Sequence, residues 1–219
     1  MTIEEIKQRV RLAIDEVSAN KSGFIDETED QQNLDKVIQD KISYALLYIL
    51  RNAPKEQLSD TITALDDSCL TANSSINSDT LVCTIILPEK VIRVLSARMA
   101  SWKYAPSPIE EDSQQYLMQS NTYTKGCIDR PVTAIIRKGG KLCLEMYCAK
   151  DTNDKPDISV IYKPDYTKEQ LSDITTDIAV PQKYEGTFIY QVAGLAMLAQ
   201  REEIANSLLA ISKNYLFEK

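Results

Sequence analysis

Histidine is absent from the 219 residues, which removes most familiar catalytic constellations. A Ser-His-Asp or Cys-His arrangement has no base, an H-E-x-x-H zinc site has no ligands, and the histidine-headed deaminase pattern lacks its first ligand. The five cysteines, Cys69, Cys83, Cys127, Cys143 and Cys148, are odd in number and none stands in C-x-x-C spacing. They read as reduced thiols packed like small apolar residues, not as zinc ligands. Glu110-Glu111-Asp112 are consecutive, so their side chains diverge. Asp66-Asp67, and the set Asp151, Asp154 and Asp157, lack the spacing and turn glycine of an EF-hand. All three acidic groups read as solvated loops. Lys138-Gly139-Gly140-Lys141 has the look of a phosphate loop, but Leu142 follows Lys141 and no G-x-x-x-x-G-K-[ST] frame fits. No catalytic, cofactor-binding or metal-binding residue is named, and the chain is read as a non-enzyme that needs no cofactor.

The elements that must position the remaining charged and aromatic residues follow from periodicity. Ile3, Ile6, Val10, Ile14 and Val17 recur at helical steps, and Thr2 with Glu5 forms a capping box, predicting a helix over 2–18. Residues 19–29 read as a loop. A long helix is predicted over 30–52, with Tyr44, Leu47 and Tyr48 widening its apolar stripe so that its C-terminal end is buried on most sides. Pro54 ends it. A further short helix is expected over 55–65, and a mobile loop over the Ser-, Asn- and Asp-rich residues 66–79.

Leu81–Leu87 reads as a strand, and Val91–Leu95 as strand in preference to helix. Trp102, the only tryptophan, precedes Pro106 and Pro108. Glu110–Gln119 is expected as a short helix or an extended arm. Val132–Arg137 and Leu142–Cys148 flank Gly139-Gly140, the signature of a type I′ hairpin with a lysine-rich tip. Ile158–Tyr162 is a third strand, and the three are expected to form one small antiparallel sheet. From Pro181 the chain turns helical again, with a face rich in small residues from Phe188 to Ala199 and a final amphipathic helix from Ile204 to Leu216. Residues 30–52 are expected to pack against the pair 182–200 and 204–217, with 2–18 alongside. The fold class is therefore α+β: one domain over 1–219, helical at 1–65 and 181–219, with a β-rich insertion at 80–165.

Apolar content of 43% and charged content of 26% are ordinary for a globular chain. No apolar run approaches the roughly 18 residues of a membrane span. The opening MTIEEIKQRV carries acids where a secretory signal carries bases, so a cytoplasmic origin is expected, without membrane contact. Net charge is −7, which disfavours general nucleic-acid binding. Its distribution is uneven. Residues 1–79 hold 8 basic and 15 acidic residues, 80–150 hold 10 and 6, and 151–219 hold 7 and 11. A basic middle between acidic helical flanks fits a head-to-tail contact between copies, and such contacts generate a ring where the rotation closes.

The order of features resembles the head–tail connector proteins of tailed bacteriophages, the adaptor or neck-ring proteins beneath the portal. The resemblance runs from the helices through Ile85-Ile86-Leu87-Pro88 and Val94 to Trp102. It continues through the tyrosine-bearing arm, Arg130-Pro131-Val132, the hairpin and Ile161-Tyr162-Lys163-Pro164, and ends in the closing helices. The Asn- and Ser-rich loop also resembles ring proteins of crAss-like phages. The resemblance implies a structural virion protein at the head–tail junction, made in a host bacterial cytoplasm. It implies a homo-oligomeric ring, twelvefold by family analogy, that meets the portal protein and neighbouring tail or ring proteins around the DNA channel. DNA contact would be transient and non-specific. Some connectors carry a long C-terminal tail that enters the portal. Here the sequence stops at Lys219, so portal contact is expected through helix faces or the 66–79 loop instead.

The candidate subunit-interface or channel-facing residues are Arg98, Lys103, Arg137, Lys138 and Lys141, together with Tyr116, Leu117 and Met118. The last three read either as a satellite core cluster or as an anchor into a neighbouring subunit. Rival readings are another tail-ring or head-completion protein, a non-viral cytoplasmic protein-interaction domain, and an enzyme of unrecognised type.

Overall fold

A computed structural model of the chain describes residues 1–18, 29–58, 62–121, 123–163 and 177–217, with side chains left undescribed at 29–32. The loop expected at 19–29 falls almost wholly outside these residues. The fold is α+β. The chain divides into two compact units, one of Met1–Asp60 with Pro164–Lys219, the other of Thr61–Lys163.

In the first unit, α1 (Ile3–Ser18) buries Ile3, Ile6, Val10, Ala13 and Ile14. Thr2 Oγ1 accepts the backbone N–H of Glu5 at 3.1 Å, as the capping box requires. α2 (Glu29–Asn52) buries Leu34, Ile38, Ile42, Leu46 and Ile49. Its C-terminal end was expected to be buried on most sides; Tyr44 is the side chain left out, 64% exposed, with Lys41 Nζ 5.7 Å from its ring centre. Pro181 precedes a 3₁₀ turn, Gln182–Tyr184, which leads into α5 (Glu185–Met197), and α6 (Glu202–Phe217) follows.

α5 is the hub of this unit: it packs against α1, α2 and α6. Phe188, Val192, Ala193 and Met197 are fully enclosed. Gly194 lets α6 approach closely. A Cβ there would lie 2.6 Å from Leu209 Cγ and 3.2 Å from the Ala205 carbonyl oxygen. Polar groups in this seam are satisfied. The buried Ser212 hydroxyl lies 2.9 Å from both the Thr187 carbonyl oxygen and Gln191 Oε1. The chain start is tied down beside α5, since Ile178 N–H donates to the Met1 carbonyl at 2.8 Å.

The second unit opens where a helix over 55–65 was expected. The described residues of that segment hold a 3₁₀ turn, Lys55–Gln57, and then β1 (Thr63–Ala64), which pairs with a distant strand. The expected loop at 66–79 holds α3 (Asp67–Asn73) and β2 (Ser74–Ile76). Asp66 supplies the N-cap, accepting the Ser68 N–H at 2.8 Å, so the Ser- and Asp-rich composition starts a helix instead of preventing one.

β3 (Val82–Ile86) and β4 (Val91–Met99) follow, then β5 (Ile109–Glu110), α4 (Gln114–Leu117), β6 (Val132–Lys138), β7 (Lys141–Tyr147) and β8 (Pro156–Tyr162). Among the described residues there are two sheets, in the orders β1-β8-β4 and β2-β3-β7-β6-β5. All pairs are antiparallel except β5 with β6. β8 thus joins β4, not the hairpin, and the single small sheet expected from sequence is replaced by two. The nine-residue β4 offers β8 a full-length partner. Both sheets face one core containing Cys83, Ile85, Val94, Met99, Leu144, Met146, Ile158 and Val160. The β-rich insertion begins at Thr61, not at residue 80, because β1, α3 and β2 belong to it.

Replacing Gly194 with alanine is expected to destabilise the helical unit by about 1–3 kcal/mol, the usual cost of overpacking. Urea unfolding checks this through a lower midpoint at an unchanged slope.

Candidate functional site

The β6–β7 hairpin carries the most distinctive surface in the second unit. Gly139 and Gly140 adopt φ of +58° and +78°. These are the two positive values of a type I′ turn, which glycine adopts without steric strain. The turn places Lys138 directly opposite Lys141 across the ladder, with Arg137 opposite Leu142. Arg137, Lys138 and Lys141 are all exposed, and among the described residues no carboxylate pairs with their side-chain charges. The Arg137 backbone N–H donates to Glu111 Oε2 at 3.0 Å, so one member of the 110–112 acid run fixes the base of the tip.

The other candidate cations are neutralised. Arg98 Nε and Nη2 each lie 2.9 Å from Asp157 Oδ2, across the β4–β8 ladder. Lys103 Nζ donates to Asp129 Oδ1 at 2.8 Å. Each of that pair holds the other charged: the hydrogen bond and the attraction raise the Lys103 ammonium and lower the Asp129 carboxyl. The eight candidates therefore do not form one site.

Tyr116, Leu117 and Met118 split between their two readings. Tyr116 joins a satellite cluster on the outer face of the hairpin, with Ala134, Ile136, Cys143, Ile109 and Tyr147. Tyr147 donates to Glu145 Oε2 at 2.6 Å beside it. Burial raises both phenols, seconded by the Glu145 charge at Tyr116 and by the hydrogen bond to Glu145 and then its charge at Tyr147. Leu117 and Met118 instead point outward, 65% and 43% exposed.

The aspartates considered as a cation site are taken apart by the fold. Asp157 pairs with Arg98. Asp151 accepts the Asn153 N–H at 2.8 Å. Asp154 ties two loops together, accepting from the Ser101 hydroxyl at 2.5 Å, the Ser101 N–H at 3.3 Å and the Lys150 N–H at 3.0 Å. Trp102 supports the same junction, with Nε1 donating to the Cys148 carbonyl at 2.9 Å. Among the described residues no group of His, Cys, Asp or Glu could hold a metal ion, and no helix is long and apolar enough to cross a membrane. Burial, with the Asp154 charge adding, pushes the Cys83 thiol up to about 12. The Cys127 thiol is lowered by the backbone N–H groups of Arg130 and Asp129.

One surface was missed in the sequence. On the helical unit, the Tyr190 hydroxyl donates to Glu16 Oε2 at 3.3 Å, and the Tyr190 and Tyr215 rings stack with centroids 5.8 Å apart. Leu12 lies one turn from Glu16 on α1 and is 57% exposed; Tyr215, within the helix expected from Ile204 to Leu216, is 46% exposed. The available signal was Leu12, which falls off the apolar stripe of α1.

Comparison of the chain with protein-family models and with curated proteins finds no match.

Substituting Asp154 with alanine strips four donors of their acceptor, the Ser101 hydroxyl and N–H and the Lys150 and Lys155 N–H groups, and is expected to cost about 1–3 kcal/mol. Arg98→Ala removes only an exposed ion pair and is expected to cost less than about 1 kcal/mol. Chemical unfolding of the two variants side by side checks the contrast. In alkylation at mildly alkaline pH, Cys127 is expected to react well before Cys83, because the thiolate is the nucleophile; peptide mapping reads the order.

Proposed function

We propose that this chain is a structural virion protein of a tailed phage. It assembles head to tail into a homo-oligomeric ring at the portal–tail junction and links head to tail around the DNA channel. Its work is assembly, not catalysis. The observation that carries this reading is the order of features along the chain. Helices lead into Ile85-Ile86-Leu87-Pro88, Trp102, Arg130-Pro131-Val132, the hairpin, Ile161-Tyr162-Lys163-Pro164 and closing helices. Support comes from where these motifs fall. Pro88 follows β3, Trp102 lies in the core just after β4, Pro131 precedes β6 and Tyr162 ends β8, so these motifs mark strand ends of one inserted unit.

The charge partition also supports a heterologous contact. The helical unit holds 13 basic and 20 acidic residues, the β-rich unit 12 of each. The whole net charge of −7 thus resides on the helical unit, while the β-rich unit projects a cationic tip. An acidic unit and a cationic tip on one chain favour an open contact that repeats from copy to copy. The partners proposed are further copies of the chain, the portal protein and neighbouring ring or tail proteins, with transient phosphate contact in the channel.

Negative-stain imaging of the purified protein, alone and mixed with the portal protein encoded near it, tests the proposal. Closed rings, free or capping the portal, are expected. A protein that stays monomeric and ignores the portal would overturn the adaptor reading.

A further inference from the structure

We infer that the hairpin tip of one copy docks on the aromatic and acidic patch of the helical unit of the next, an inference that rests on the assembly reading above. Three observations converge on it. The first is an electrostatic conflict. Lys138 and Lys141 are directly cross-strand, with Arg137 adjacent. Like charges so placed destabilise a hairpin, and among the described residues no carboxylate forms an ion pair with their side chains. A local rule broken with no side-chain ion pair to offset it is expected at a functional surface.

The second observation is the rigidity of the presentation. The two-residue turn fixes the tip, and Glu111 holds its base through the Arg137 N–H. Little backbone ordering entropy is then lost when the tip is bound.

The third is a complementary surface. Asp15 and Glu16 are exposed on α1, and no cation among the described residues pairs with either. Leu12 stands on the same helix face, and Tyr190 and Tyr215 stack beside Glu16. The patch therefore offers carboxylates for lysine, aromatic faces for a guanidinium or ammonium, and apolar area for the lysine stems. A second copy is favoured over nucleic acid, because the cations number only three and the rest of the chain is acidic, which repels a polyanion.

A charge-swap series tests this by sedimentation velocity at low salt, with thermal melts of the monomer run in parallel. Lys138→Glu turns the like-charge pair into an opposite pair, so the monomer is expected to melt at an unchanged or higher temperature. Self-association is nonetheless expected to weaken by about tenfold, a combination that a merely structural role would not give. D15K/E16K is expected to weaken association similarly, and combining it with K138E/K141E to restore most of it. Rings that persist unchanged through both reversals would overturn this interface while leaving the assembly reading standing. No self-association in the parent protein at any concentration would overturn this interface; the assembly reading falls only where the protein also fails to form rings on the portal. A reversal at the tip that abolishes duplex DNA binding and leaves self-association untouched would assign the tip to nucleic acid and overturn the inference.

Discussion

The close approach of α5 and α6 at Gly194 is the constraint on which the helical unit depends. No side chain larger than hydrogen fits between Gly194 and Leu209, so the two helices meet nearly backbone to backbone along this turn. That proximity lets the Ser212 hydroxyl reach the Thr187 carbonyl and the Gln191 side chain. It also leaves the remaining faces of α5 to α1 and α2. A helix enclosed on so many sides must be apolar nearly all round, and α5 is: Phe188, Ile189, Val192, Ala193, Ala196 and Met197 are all buried. The same enclosure frees α1 to keep an outward stripe of charge and leucine.

The β-rich unit is held by a different kind of interaction. Its two sheets share one apolar core, but the loops that carry the chain from one sheet to the other are fixed by polar contacts at Asp154 and Trp102. Apolar burial is non-directional, whereas a carboxylate with several donors fixes position. Cys148, with φ of +74°, sits at that junction, where a bend out of β7 is needed. The contrast with the exposed Arg98–Asp157 pair matters for function. Charges already neutralised within the unit have little left to offer a partner, which narrows the candidate surface to the hairpin tip.

Much of this was legible in the sequence because it is local. The capping box at Thr2, the helical steps of α1 and α2, the glycine pair of the hairpin and the strand character of Val91–Leu95 each follow from residues within a few positions of one another. What failed was non-local. Nothing within Ile158–Tyr162 says whether it pairs with β7 or with β4, and Thr63-Ala64 is a strand only because β8 lies beside it. The Ser-, Asn- and Asp-rich stretch at 66–79 misled because the residues that favour turns are also those that cap helices. The hairpin cations were visible as a motif. That Arg98 and Lys103 would be neutralised was not, since their partners lie 59 and 26 residues away. The aromatic patch was hidden for the same reason, being drawn from three helices.

The insertion of one unit into the other also bears on how the chain is made. Helices α1 and α2 leave the ribosome first, yet their principal partner α5 begins at Glu185, more than a hundred residues later. During synthesis their apolar faces must wait, while the intervening unit, continuous from Thr61 to Lys163, emerges whole and has all its strands to hand. Translation order therefore favours completion of the β-rich unit first. Once folded, it replaces a long flexible segment with a short fixed span, which reduces the entropy lost when the two ends of the helical unit come together.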